Sequence, residues 1–146
     1  MLYRSMFEYT IGKANRLRGG DSSAAFLAAG TITAQTLKAA ESLADAGKVD
    51  ASVYDMHTVK PLDAALLEEL SRCEHLVVVE EHMRSGGLAG AVAEFYAEHA
   101  QRPRILALGV DDAYPAANDY EEMLRLSGLT ADGIAASVQR WMEAVS

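Results

Sequence analysis

The 146-residue chain has the length of one ordinary domain. A chain of that size buries roughly 68–70% of its unfolded surface, and with half its residues hydrophobic but only 7% aromatic, its core must be aliphatic and alanine-rich. Thirteen Lys and Arg against twenty-one Asp and Glu leave a formal net charge of −8, which argues against nucleic acid as a partner; Lys13, Arg16 and Arg18 are too few to reverse that.

The single cysteine, Cys73, excludes an internal disulfide and fits a reducing cytoplasm. With no positioned base in view, it reads as a structural thiol. No apolar stretch approaches the ~20 residues of a membrane helix, and the opening residues do not read as a signal peptide. The expectation is a soluble, cytoplasmic protein.

Residues 1–10 have no clear period and carry Tyr3, Phe7 and Tyr9, as an arm or interdomain linker would; residues 11–146 read as the domain itself. Residues 14–18 form a short strand closed by Gly19-Gly20-Asp21. Residues 23–29 are an apolar run of strand length, as in a strand covered on both faces. Residues 33–47 are helical, with Ala34, Leu37, Ala40, Leu43 and Ala44 on one stripe and Gly47 at the stop. Residues 51–56 make the next strand, and Pro61 and the N-cap candidate Asp63 open a helix that buries Leu66, Leu67 and Leu70.

The most hydrophobic strand spans 75–79, and a helix over 88–99 buries Leu88, Val92 and Phe95. A last strand follows over 104–108. Asn118 with Glu121 resembles a capping box for a helix that stops at Gly128, and Thr130 caps a final helix with the stripe Ile134, Val138, Trp141, Val145. Strands alternate with helices from 23 to 108, which predicts right-handed crossovers and a mostly parallel α/β sheet. There is no internal repeat or second domain.

Chemistry concentrates where strands end. Glu80, Glu81 and His82 follow a buried strand, where such sheets place ligands. A half-buried glutamate there is either an acid or base, or an anchor for the amides of the following loop. Gly86-Gly87 and Gly30-Thr31 each precede a helix. If the two strands are neighbours, both helix N-termini open on one crevice, a candidate anion site with Arg84 and Ser85 as further donors. The bland alternative is that the glycines permit tight turns. His57, at a strand end, is a candidate interdomain contact, as are Glu80, Glu81 and His82. His75 and His99 pair with no carboxylate at metal-ligand spacing, and Asp111-Asp112 reads as a solvated acidic turn.

The wording of these corners resembles the C-terminal domain of the transketolase family. In order, the matching runs are IGKANRLRGGD, LAAGTITAQTLKAAESLADAG, DMHTVKPLD, VVVEEHMRSGGLAGAVAE, LALGVDD and SGLTADGI, from Ile11 to Ile134. DMHTVKPLD is most similar to transketolase itself, less to 1-deoxyxylulose-5-phosphate synthase or the beta subunits of 2-oxo-acid dehydrogenases. The sequence departs from the family at Gly86-Gly87-Leu88-Ala89-Gly90, where Gly-Gly-Leu-Gly-Ser is common, and at Ala116-Ala117, where a glycine is common.

The resemblance implies a three-layer α/β/α domain with a five-stranded sheet, its first strand antiparallel at one edge and its second strand between the third and fourth. It implies a thiamine-diphosphate-dependent holoenzyme that moves a two-carbon ketol unit between sugar phosphates. In that enzyme the cofactor and its magnesium are held by pyrophosphate and pyrimidine domains in cis or on another subunit. No cofactor or metal is expected on this domain, which would support the pyrimidine domain and a homodimer and be inactive alone. The family's domain start lies so near Met1 that an excised fragment or the tail of a split subunit is expected. A small-anion or nucleotide-binding regulatory module is the alternative from a different class.

Overall fold

The computed structural model describes residues 7–21, 23–112 and 118–145. Tyr3 of the expected arm and Ala116-Ala117 lie outside the described residues. Among the described residues five strands and five helices follow in the order β1 (Asn15–Arg18), β2 (Ala24–Ala29), α1 (Thr33–Asp45), β3 (Ser52–Asp55), α2 (Ala64–Leu70), β4 (His75–Met83), α3 (Leu88–Tyr96), β5 (Arg104–Val110), α4 (Tyr120–Leu126) and α5 (Ala131–Val145). A short 3₁₀ turn, Gly30–Ile32, joins β2 to α1.

The sheet order is β1-β3-β2-β4-β5. β1 runs antiparallel to β3 at one edge, and the other pairings are parallel. Fold and strand order are those the resemblance implied. β2 lies at the centre, so Ala24 to Ala28 are all buried, with helices closed over both faces.

Alternation along the strands divides the core in two. Ala24, Phe26, Ala28, Val53, Val77 and Val79 face α1, α4 and α5. Ala25, Leu27, Leu76 and Val78 face α2 and α3. Burying Phe26 and Leu27 completely contributes about 1.5–3 kcal/mol each.

Four local expectations are corrected. The buried stripe of α1 is Thr33, Thr36, Ala39, Ala40 and Leu43, while Ala34 is exposed. Thr36 enters the core because its Oγ1 donates to the Ile32 carbonyl at 3.0 Å, so its hydroxyl needs no water. α3 ends at Tyr96, not His99, and buries Tyr96 while Phe95 is half-buried. The Tyr96 hydroxyl donates to the Leu67 carbonyl at 2.6 Å, which removes the cost of burying it, and burial pushes that phenol far above its usual range. The side-chain cap of α4 is Asp119, accepting from Glu122 N at 2.9 Å, in place of Asn118. Finally, β4 continues through Glu80, Glu81 and His82 to Met83.

Asp63 caps α2 as its position suggested, accepting from Leu66 N at 3.2 Å. It also accepts from Ala14 N at 3.0 Å and pairs with Lys13 at 3.4 Å. One carboxylate thus ties the segment leading into β1 to the first turn of α2.

Candidate functional site at the carboxyl edge of the sheet

The extension of β4 organises this edge. Against β5, Val79 pairs with Leu108 and Met83 with Val110, so four steps on β4 match two on β5. A bulge of this kind re-aims side chains. Glu80 turns inward and is only 4% exposed; Glu81 turns out. Gly109 permits the bulge, since a Cβ there would lie 2.7 Å from the His82 carbonyl oxygen.

Glu80 is held by the start of α3. Its Oε2 accepts from Leu88 N at 2.8 Å and its Oε1 from Ala89 N at 3.0 Å. Gly87 occupies the N-cap position and brings no side chain to cap the helix. The first-turn amides are therefore satisfied from the neighbouring strand. A Cβ at Gly87 would sit 2.0 Å from Glu80 Oε2, so the glycine is required by the carboxylate beside it. The negative group at this helix start is the protein's own.

Glu81 gathers a second set. Thr31 Oγ1 donates to its Oε2 at 2.8 Å, the Tyr120 hydroxyl donates to its Oε1, and Tyr120 lies 3.5 Å from Thr31 Oγ1. The adjoining carboxylate holds the Tyr120 hydroxyl above the usual phenol range. Gly30, at φ 81°, is the left-handed step that turns β2 towards Thr31. Between the two corners lies a crevice of about 410 Å³, lined by Ala29, Gly30, Thr31, Val59, Glu80, Glu81, His82, Gly87 and Leu88.

The structure brings together Gly30, Thr31, Glu80, Glu81, His82 and Gly87, and leaves Arg84, Ser85, Gly86 and His57 out of the lining. Arg84 forms an exposed ion pair with Asp111, a kind that contributes about 0–1 kcal/mol. His82 Nδ1 lies 2.9 Å from the Met83 carbonyl oxygen. The Nδ1 of His57 meets Thr58 Oγ1 at 3.1 Å, and its ring stands edge-on to Tyr9 with centroids 4.9 Å apart. Sequence reasoning missed Tyr120, for which no local signal exists, and Gly109, for which a glycine inside a strand was the signal.

Among the described residues no group of three or more His, Cys, Asp or Glu side chains converges to hold a metal. A smaller hollow of about 250 Å³ lies among Arg16, Asp21, Ser52, Arg72 and Cys73. Burial, and then the charge of Asp21, push the Cys73 thiol up, which makes it a poor nucleophile.

Residues 12–134 match the family described as transketolase, C-terminal domain. The chain belongs to the transketolase C-terminal domain family. The 1-deoxy-D-xylulose-5-phosphate synthase of Pseudomonas fluorescens is 43% identical over 133 residues, covering 90% of this chain and 20% of the relative. The same enzyme of Syntrophotalea carbinolica is 38% identical over 133 residues, covering 90% of this chain and 21% of its own length. This transketolase C-terminal domain thus spans about a fifth of those curated relatives.

Among solved structures, a chain described as split gene transketolase, inactive beta4 tetramer, superposes with a TM-score of 0.82 and 35% identity, over 92% of this chain and 43% of that one. Transketolase from Campylobacter jejuni superposes with a TM-score of 0.67 over 91% of this chain and 19% of that one; at 16% identity it speaks for the fold alone. The relatives carry the names of a synthase and the structural neighbours those of transketolases.

Proposed function

We propose that this chain is the C-terminal domain of a thiamine-diphosphate-dependent transketolase that moves a two-carbon ketol unit between sugar phosphates. Its own share is to support the pyrimidine domain and a homodimer, in the cytoplasm, and it is inactive alone. The observation that carries this reading is the likeness to the split gene transketolase chain, at 35% identity over 92% of this chain. That neighbour's description as inactive favours a chain whose chemistry needs other domains.

The residues here do not suit thiamine diphosphate or its magnesium. The carboxyl-edge crevice presents Glu80 and Glu81, which repel a diphosphate, and among the described residues no three His, Cys, Asp or Glu side chains converge on a cation. No catalytic step is therefore assigned to this chain.

A second reading, the same domain within 1-deoxyxylulose-5-phosphate synthase, is favoured by the 43% and 38% identities to that enzyme. Chimeras separate the two. The chain replaces the C-terminal domain of a transketolase in one protein and of a synthase in the other. Each is assayed for ketol transfer between sugar phosphates or for formation of 1-deoxyxylulose 5-phosphate. Activity in the transketolase chimera is expected; activity only in the synthase chimera selects the second reading, and neither activity overturns both.

A further inference from the structure

The charge of the carboxyl-edge crevice is one-sided: Glu80 and Glu81 line it, and among the described residues no Lys or Arg does. Glu80 is engaged by the two α3 amides, which also removes those donors from any outside anion. Glu81 is exposed and differently held, with Thr31 Oγ1 on one oxygen and the Tyr120 hydroxyl on the other. A carboxylate offers about four lone-pair positions, so each oxygen keeps roughly one free. Two hydroxyls that fix both oxygens also fix the plane of the group, which a forked guanidinium needs.

The walls are apolar. Ala29, Val59 and Leu88 line the hollow, and its volume of about 410 Å³ lies within the ~300–1,000 Å³ of ordinary binding sites. Val59 is 39% exposed and Tyr120 56% exposed, two of six large hydrophobic side chains so placed among the described residues. An apolar lip around a charged centre is the anatomy of a contact with another polypeptide.

We propose that this crevice is a socket for an arginine side chain carried by another polypeptide. The aliphatic stem lies along Val59 and Ala29, and the guanidinium forks onto Glu81. The proposal concerns the crevice only and not which thiamine enzyme contains it, so its failure leaves the proposed function standing.

The test is a titration of the ¹⁵N-labelled 146-residue chain with three probes, followed by amide shifts. They are a capped tripeptide with arginine between leucine and phenylalanine, the same peptide with citrulline, and inorganic phosphate. Saturable shifts at Thr31, Glu81 and Gly87 are expected with the arginine peptide alone. Glu81→Gln keeps the size and exposed position of the side chain and should weaken that binding about tenfold. Val59→Lys, which alters no carboxylate, should weaken it as well. Capped arginine as a single residue should bind several-fold more weakly than the tripeptide. Shifts at these amides with phosphate or citrulline, indifference to Glu81→Gln and Val59→Lys, or equal binding of the single residue would each overturn the socket.

Discussion

Replacing Glu80 by alanine tests whether a strand residue acts as the cap of α3. The substitution removes the acceptors of Leu88 N and Ala89 N, at 2.8 and 3.0 Å, from a site where Glu80 is 4% exposed. A solvent-facing cap contributes about 1 kcal/mol, whereas a hydrogen bond to a buried charge contributes about 1.5–3 kcal/mol. Two such bonds at the lower bound give about 3 kcal/mol, partly offset because the carboxylate no longer has to be stripped of water. The net loss is about 2–3 kcal/mol, a sizeable part of the ~5–15 kcal/mol that holds a domain together. For a chain of this length that is a fall in Tm of about 4–12 °C.

Urea denaturation of the wild type and Glu80→Ala supplies the number, and hydrogen exchange at Leu88 and Ala89 locates it. Glu80→Gln keeps one acceptor and should lose about half as much. The reasoning is refuted if Glu80→Ala stays within ~0.5 kcal/mol of the wild type, the range of an ordinary surface change. It is refuted equally if stability falls while exchange at those two amides is unchanged.

Gly87→Ala places a Cβ 2.0 Å from Glu80 Oε2 and should cost stability by expelling that carboxylate, so the double variant with Glu80→Ala should lose clearly less than the two singles summed. Asp63 is predicted to give the acid limb of stability. Burial raises its pKa, but the N–H groups of Ala14 and Leu66 together with Lys13 outweigh that and bring it below 3.8. Its contribution is then present above pH 3.8 and lost as pH falls through the lower folded value, and Asp63→Asn should flatten that part of a stability-against-pH curve. The His99 pKa is raised chiefly by its hydrogen bond to Glu68, at 2.9 Å. That contribution is full below 6.5 and fades as pH rises through the folded value, and Glu68→Gln should move the NMR titration of His99 downward.

The strands and both glycine corners were legible because long apolar runs and their punctuation carry that information locally, whereas the strand order came from the family resemblance alone. What was harder to read was polarity with a distant partner. Anchoring the following amides is one of the two roles the sequence suggests for Glu80, but as a half-buried residue beyond the strand. It lies within β4 and is buried, because amides eight and nine residues ahead satisfy it. Thr36 and Tyr96 belong to the core for the same reason, while Ala34, apolar but unneeded there, faces water. Within the candidate site, Gly30, Thr31, Glu81 and Gly87 were found from two motifs. Tyr120 was not, since its link to Glu81 spans 39 positions and depends on where α4 begins. Hydropathy reports a residue's own cost of burial and says nothing of a distant group that cancels it.

The triple hold of Asp63 on Lys13, Ala14 and Leu66 also bears on how this unit can be cut and rejoined. A fusion or circular permutation that opens the backbone ahead of β1 must carry residues 13 and 14 along. A break placed beyond them would strip the edge strand of its tether and unseat α2 in the same stroke. The practical frontier of the module therefore lies upstream of its first strand, at a point set by a side chain some fifty positions further on.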